Sequence, residues 1–351
     1  MLLYPVVFHA AIFDFHPEVL AFPLVMQCVL LLERRAPKDD ARVALLLLLV
    51  LTCKVVLAFL VLGFAGSVLL RRRWGLGAVL ALEALLWFVC VGGWLMPAFG
   101  GPRASLWRQA SKFGLGGSSG GDGPLFTIAR HLFSLANLEY LLLLLAPVLY
   151  VLLHGRKLAF LGRLLPAAPL VLINLAPAIS PMKDLAHHYS LMLVPFLAGG
   201  VQAYPQWFRN RAPRLVLVWA ALAFVVFSRL SFHIGQLQDR WAALAAMRDV
   251  APMVSAQSRL LTNNSLAPHF SQRRVIEMAQ SGTAPLDLER FDQVLLDERH
   301  PGLNASHELV REIRARLTAS VQWQLRFDRD GVWLFERRPS DSDRMSGFRQ
   351  Q

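Results

Sequence analysis

"VALLLLLVLTCKVVLAFLVLGFAGSVLL", residues 43–70, is an almost unbroken apolar stretch with one lysine, Lys54, near its middle. Both flanks are basic: Arg34, Arg35, Lys38 and Arg42 precede it, and Arg71, Arg72 and Arg73 follow it. As one helix of roughly 28 residues it would be about 42 Å long and would carry Arg71 to the opposite membrane face from Arg42. Basic connectors prefer the cytoplasmic face, so the two flanks are expected to share a side. Two short helices meeting near Lys54 satisfy that demand. Each half is too short for a hydrocarbon core of about 30 Å, so the turn must be sheltered by neighbouring helices or a wet cavity.

The rest of the chain has the same character. Of its 351 residues, 55% are hydrophobic and only 17% charged, which is too apolar for an ordinary soluble protein. Further apolar runs lie at about 17–33, 75–98, 137–153, 164–179, 189–204 and 215–229. With the two halves of 43–70 they give about eight membrane segments, so the expected fold is mainly α, a polytopic membrane helical bundle over 1–230. The basic connectors are the two already named, His154, Arg156, Lys157 and Arg163, and then Arg209, Arg211 and Arg214. If all four are cytoplasmic, the alternate connectors and everything after residue 230 lie outside the cytoplasm. The outer connector 99–126 carries Arg103, Arg108 and Lys112 against this trend, and its centre "GLGGSSGGDG" reads as a flexible loop.

A net charge of +12 would suit a nucleic-acid partner, but the basic residues sit in connectors between apolar runs, and no nucleic acid is expected. Cys28, Cys53 and Cys90 are spaced too widely for a zinc motif and read as small buried hydrophobes. Residues 1–12 lack a basic n-region and a cleavage site, so no signal peptide is expected before the first span. There is no phosphate loop, HExxH, GxSxG or dinucleotide fingerprint.

The C-terminal part changes texture. "DRWAALAAMRDVAPMV" (239–254) has helical periodicity, "RLLTNN" (259–264), "RRVIEM" (273–278) and "DQVLLD" (292–297) read as short buried strands, and "SHELVREIRARLTA" (306–319) as an amphipathic helix. "WQLRFDRDGVWLFERR" (323–338) reads as a hairpin around Asp330-Gly331. Residues 231–338 are thus expected to form a small extracytoplasmic α/β domain, and 339–351, polar and rich in Ser and Arg, a disordered tail.

Within the apolar part, ionisable residues gather on one face. Asp14, His16 and Glu18 precede the first span, Lys54 marks the apex of the helix pair, and Lys183, Asp184, His187, His188 and Tyr189 fill "PMKDLAHHY". Structural explanations exist for each. Asp14 can cap the helix that Pro17 begins, Glu18 suits its positive end, Lys54 can snorkel, and Tyr189 can sit at headgroup depth. An N-cap does not require the imidazole of His16, and a lysine at mid-membrane costs roughly 2.5–3.5 kcal/mol, which argues for a buried partner or an anionic ligand at Lys54. His187 and His188, adjacent on a helix, would point about 100° apart, a poor arrangement for one metal. Glu83, inside the 75–98 run, stands as a functional carboxylate or a helix–helix hydrogen bond.

"LYPVVFHAAIFDFHPEVLAFPL" (3–24), the lysine-centred short helices, "WLMPAFGGP" (94–102), the Leu-rich span after it, "DLAHHYSLMLVPFL" (184–197), "NNSLAPHFSQRRVIEM" (263–278) and "FDQVLLD" (291–297) together resemble the bacterial predicted membrane proteins called domain of unknown function 2079. The resemblance runs through nearly the whole chain, with FHPE and HY its most specific elements. It implies kinship with GT-C glycosyltransferases, bacterial inner-membrane location, and transfer of a sugar from a polyprenyl-phosphate carrier at the outer face. On that implication His16, Glu18 and Asp14 are the catalytic candidates, with His16 or Glu18 as base or metal ligand. Lys54, Lys183 and His188 would neutralise phosphate, with His187 and Tyr189 beside them. No metal set is assigned and the cofactor is left open, a divalent metal being one option. Two features depart from the family pattern: the chain is expected to be N-terminally short of an acidic outer loop, and Val55 and Val56 follow Lys54 where an acid is usual. A transporter with a polar path, and a non-catalytic scaffold with an outer binding domain, are the competing readings.

Overall fold

The computed structural model describes residues 3–12, 15–34, 36–100, 132–154, 157–176, 180–202, 213–282 and 286–338. The expectations for Asp14, the loop at 114–123 and the tail at 339–351 lie outside the described residues. The chain divides into two compact units, Met1–Arg229 and Leu230–Gln351. It is mainly helical, with a small sheet in the C-terminal unit.

In the first unit the main helices are α1 (Pro5–Ile12), α2 (Glu18–Arg34), α3 (Asp40–Cys53), α4 (Leu57–Leu70), α5 (Trp74–Trp87), α6 (Leu135–Leu145), α7 (Leu149–His154), α8 (Lys157–Leu164), α9 (Ala168–Leu175), α10 (Val194–Gln202) and α11 (Pro213–Phe227). The stretch 43–70 is two helices of 14 residues, α3 and α4. Each is about 21 Å long, short of a full crossing. Lys54 breaks them apart with extended backbone, φ −164° and ψ 136°. Asp40, at the start of α3, pairs with Arg73, three residues past the end of α4. A straight helix would hold those residues more than about 40 Å apart, so the chain folds back at Lys54.

The pairing of Arg163 with Glu33 at 2.9 Å brings a third basic connector to the C-terminal end of α2. Glu18, at the N-terminal end of that helix, meets Lys54. Helix α2 therefore spans two polar levels separated by about 25 Å of apolar chain.

Burial within this unit follows helical spacing. On α3, Val43, Leu47, Val50 and Leu51 are buried while Leu45, Leu48 and Leu49 are exposed; on α5, Leu76, Leu80 and Ala84 face in while Val79, Leu82, Leu85 and Leu86 face out. Outward leucine at that density is what a lipid-facing surface requires. Helix α4 is buried on nearly all sides. Close approach replaces the hydrophobic effect as the packing force where lipid is the solvent, and glycine permits it. A Cβ on Gly63 would run into the Pro166 carbonyl, and one on Gly77 into the Leu69 side chain.

The expected eight segments are not eight long helices. Among the described residues two, Trp74–Gly100 and Leu135–Leu153, are long and apolar enough to cross a membrane, or three when Arg214–Phe227 is counted with the helix that follows it. The physical reason is interruption. Proline lacks an amide donor, and the runs at 164–179 and 189–204 open as the 3-10 turns Leu165–Ala167 and His188–Leu193 before α9 and α10. Cysteine burial also differs from expectation: Cys28 is buried, Cys53 half-buried and Cys90 exposed, on the outward side of the π-helical continuation of α5.

The second unit begins with α12 (Leu230–Val250) and contains α13 (His307–Ala319) and the strands β1 (Leu260–Thr262), β2 (Ile276–Met278), β3 (Gln293–Asp297), β4 (Trp323–Arg329) and β5 (Val332–Arg337). The sheet order is β2-β1-β3-β5-β4. β1 runs parallel to β2 and β3, whereas β5 is antiparallel to β3 and β4. Alternation sorts the side chains: Val294, Leu296, Trp333 and Phe335 pack with Val310, Ile313 and Leu317 of α13, and Leu295, Val332 and Leu334 with Ala243, Ala246 and Val250 of α12. β3 is covered on both faces, which explains its uninterrupted apolar run. At the hairpin tip Asp330 (φ 54°) and Gly331 (φ 85°) adopt the paired positive φ of a type I′ turn. β2 is a correction, since it is an edge strand with half-exposed residues and not a buried one.

Two glycines on α4 carry opposite expectations. Gly63→Ala is expected to destabilise by about 1–3 kcal/mol through overpacking against Pro166. Gly66→Ala, which meets nothing within 4 Å, is expected to stabilise by up to about 1 kcal/mol. Thermal unfolding of the purified protein, followed by size-exclusion chromatography, reads both.

In the second unit, the hydrogen bonds and charge of Arg259 hold the Asp292 carboxyl below its ordinary value of 3.8. A carboxyl depressed by folding adds stability that is present above pH 3.8 and is lost as the pH falls through the folded-state value. Hydrogen exchange at β1 and β3 should accelerate below that point, and Asp292→Asn should remove part of the dependence.

Candidate functional site

Pro17 fixes the backbone before α2, so Glu18 enters at the first turn, where the helix dipole favours a carboxylate. His16 precedes it by two residues. Lys54 arrives from the break between α3 and α4, and His188 from the 3-10 helix that leads into α10. Three distant segments thus meet at one point.

Lys54 Nζ donates to Glu18 Oε1 and lies 3.2 Å from His188 Nε2. His188 Nε2 is 3.5 Å from the same carboxylate oxygen. The His16 and His188 rings stack with centroids 3.6 Å apart and planes 28° apart. Tyr189 packs on His188 at 4.3 Å and places its ring 5.7 Å from the Lys54 ammonium, within cation–π range. Glu18 and His188 are only 3% and 8% exposed, whereas the Lys54 side chain is 35% exposed. Of the Glu18–Lys54 pair, the cation is therefore the member with access to the outside.

A buried scaffold sets the His188 backbone. Tyr140 Oη lies 2.9 Å from Ser190 Oγ, and Asn174 donates to Tyr140 Oη at 3.2 Å and to the Tyr189 carbonyl at 3.3 Å. These hydrogen bonds satisfy polar groups that the apolar interior would otherwise penalise. Sequence reasoning does not single out Tyr140, Asn174 or Ser190. The available signal was modest, a polar residue within each of three apolar runs.

The remaining candidates separate. His187 turns toward Asp184, at 3.8 Å. Lys183 and Asp184 line a second cavity of about 360 Å³ with His9, Glu139, Tyr140 and Arg229, where burial lowers the pKa of the Lys183 ammonium. Lys183 thus lines that cavity, while the His187 ring lies between Asp184 and the Tyr189 ring, whose centroid is 6.4 Å away. Glu83 is half-buried on α5, with Oε2 lacking a hydrogen-bond partner among the described residues. His9, buried in α1, faces the carbonyls of Leu185 at 3.0 Å and Ser228 at 2.8 Å, tying α1 to the connectors that hold them.

The Glu18–Lys54 pair makes a stability prediction. Lys54→Met leaves a buried carboxylate without its cation and is expected to cost about 1–3 kcal/mol, below the figure for a fully buried pair because Lys54 is partly exposed. Adding Glu18→Gln to that variant should recover part of the loss, and a double-mutant cycle in thermal unfolding measures the coupling.

Comparison with curated proteins and with solved structures finds no match to this chain. A family model described as Predicted membrane protein (DUF2079) matches residues 1–334, which takes in the first unit, most of the second and all the site residues above. The chain belongs to that family of predicted membrane proteins and, as its outward apolar helices require, associates with a lipid bilayer.

Proposed function

We propose that this protein is a GT-C-like glycosyltransferase that takes a sugar from a polyprenyl-phosphate carrier at the outer face of the bacterial inner membrane. The observation that carries the reading is the cluster of Lys54, Glu18, His16 and His188 at one end of α2, opposite the end that holds Arg73 and Arg163. In this reading the arginine end is cytoplasmic by the positive-inside rule, and the lysine end and the second unit are outside. The short segments α3, α4, α9 and α10 are membrane-embedded with α2, α5, α6 and α11, making about eight in all.

The chemistry required is modest. A leaving lipid phosphate needs a cation, which Lys54 supplies from its partly exposed position, and Tyr189 orients that ammonium. The acceptor hydroxyl needs a base, a role that His16 or Glu18 fills within reach of the same point. Asp14 precedes this pair in sequence, and Lys183 offers a second cation from the neighbouring cavity. The second unit, with its sheet-and-helix surface, is the part that binds the acceptor. A transporter would carry ionisable groups through the membrane depth, and Glu83 is the one such carboxylate on α5.

The test is direct binding. The full chain in lipid nanodiscs should bind a short-chain polyprenyl-phosphate sugar, and Lys54→Ala should weaken that binding by about tenfold or more, the scale of one charge-assisted contact of roughly 1.5–3 kcal/mol. Equal binding by the wild-type protein and Lys54→Ala would remove the phosphate site from this cluster. Transfer to an acceptor, read by release of the polyprenyl phosphate, should fall further with His16→Ala and Glu18→Gln than binding does.

A further inference from the structure

The cluster has a property that phosphate binding does not use. His16, Glu18 and His188 each offer a ligand atom, and those atoms all lie within 4.8 Å of one another. We propose that these three residues bind a first-row transition-metal dication, zinc in the first instance, and that this metal and the Lys54 ammonium are alternative partners of Glu18.

Donor chemistry favours such an ion over calcium or magnesium. Two imidazoles and a carboxylate are borderline donors suited to Zn²⁺, Co²⁺ or Fe²⁺, whereas hard cations select oxygen-rich sets. Bond lengths of 2.0–2.2 Å place tetrahedral donors about 3.4 Å apart, so the observed spread closes with side-chain movements of about 1 Å. The stacked imidazoles of His16 and His188, 3.6 Å apart, are already side by side. His188 and Glu18 come from segments about 170 residues apart in sequence, and the 3-10 helix holding His188 is pinned by the Tyr140–Ser190 and Asn174–Tyr189 hydrogen bonds. The site is thus built on fixed backbone.

A second observation points to a ligand. Glu18 Oε2 and His188 Nδ1 are buried with no hydrogen-bond partner among the described residues, and both groups are more than nine-tenths buried. Unpaired atoms of that kind are costly unless they serve something. Among the described residues three protein ligands make up the set, which leaves a fourth position for substrate, water or a further ligand.

Charge supplies the link to Lys54. Glu18 and Lys54 together are neutral, and a dication on Glu18 would release the ammonium and convert a neutral pair into a strongly cationic site. Such a site suits a phosphate ligand. The metal proposal shares residues with the glycosyltransferase reading but needs no sugar substrate.

The experiment is metal binding by the purified full chain in nanodiscs, using Zn²⁺ against a chromophoric chelator and Co²⁺ as a spectroscopic probe. Wild-type protein should take up a single equivalent of Zn²⁺, and Co²⁺ should give the intense visible bands of a four-coordinate site. His16→Ala, Glu18→Gln and His188→Ala should each weaken binding by more than about tenfold, the loss that even outer-shell partners cost. His269→Ala, on the surface of the second unit, should leave it unchanged. Lys54→Met should tighten Zn²⁺ binding, because the competing cation is gone, and the gain should vanish when Glu18→Gln is added, which zinc bound to thiols exposed by misfolding would not do. The proposal is overturned if the wild-type chain and the triple variant bind Zn²⁺ equally, or if Lys54→Met weakens binding. Polyprenyl-phosphate binding measured in chelator separates the two ideas: if it persists while Zn²⁺ binding fails, only the metal site falls.

Discussion

A carboxylate held among apolar helices must be given a cation, and the rest of the first unit is arranged around that requirement. Glu18 is buried at the first turn of α2, and its partner comes from a different helix pair. Reaching it requires Lys54 to sit at the apex of a chain that returns to its starting level, which is what the Asp40–Arg73 pair records at the other end. The same return leaves α3 and α4 too short to cross alone. Their backbone at the turn is tolerated because α4 is enclosed by protein, with Gly63 and Gly77 letting neighbours approach closely.

The two polar levels of α2 differ in kind. At its C-terminal end Glu33 pairs with Arg163, and nearby Asp39 and Asp40 pair with Arg42 and Arg73. Guanidinium groups there are fixed charges that tie neighbouring segments together. At its N-terminal end the cation is a lysine and its neighbours are imidazoles, groups that exchange partners readily and accept metals. The two kinds of polar cluster are thus separated by the length of one helix.

How much of this was legible in the sequence depends on which force decided each feature. The fold-back at Lys54 was legible because basic flanks on a run of that length leave few arrangements. The sheet was legible because β3 carries a continuous apolar run and Asp330-Gly331 demands a tight turn. The number of long helices was not, because hydropathy sums over Pro166 and Pro195 without registering the amides they remove. Burial of β2 failed for a related reason: "RRVIEM" has strand composition, but position at the sheet edge is a tertiary outcome. The residues of the cluster stood out because ionisable groups are rare in such a chain. Which of two adjacent histidines would join it was beyond pattern reading, since His187 caps the 3-10 helix in extended conformation while His188 opens it, and that difference aims only one ring at Glu18.

The resting arrangement also constrains what any ligand can do. Lys54 is the exposed member of the pair and Glu18 the buried one, so an anion approaching from outside the protein would meet the ammonium first. Drawing the ammonium outward leaves the carboxylate with His188 at 3.5 Å and the stacked His16 ring behind it. A buried carboxylate does not tolerate that separation without another positive charge. Any anion that drew the Lys54 ammonium away would therefore be coupled to the charge that replaces it beside Glu18. The stacked imidazoles stand where that replacement would have to be held.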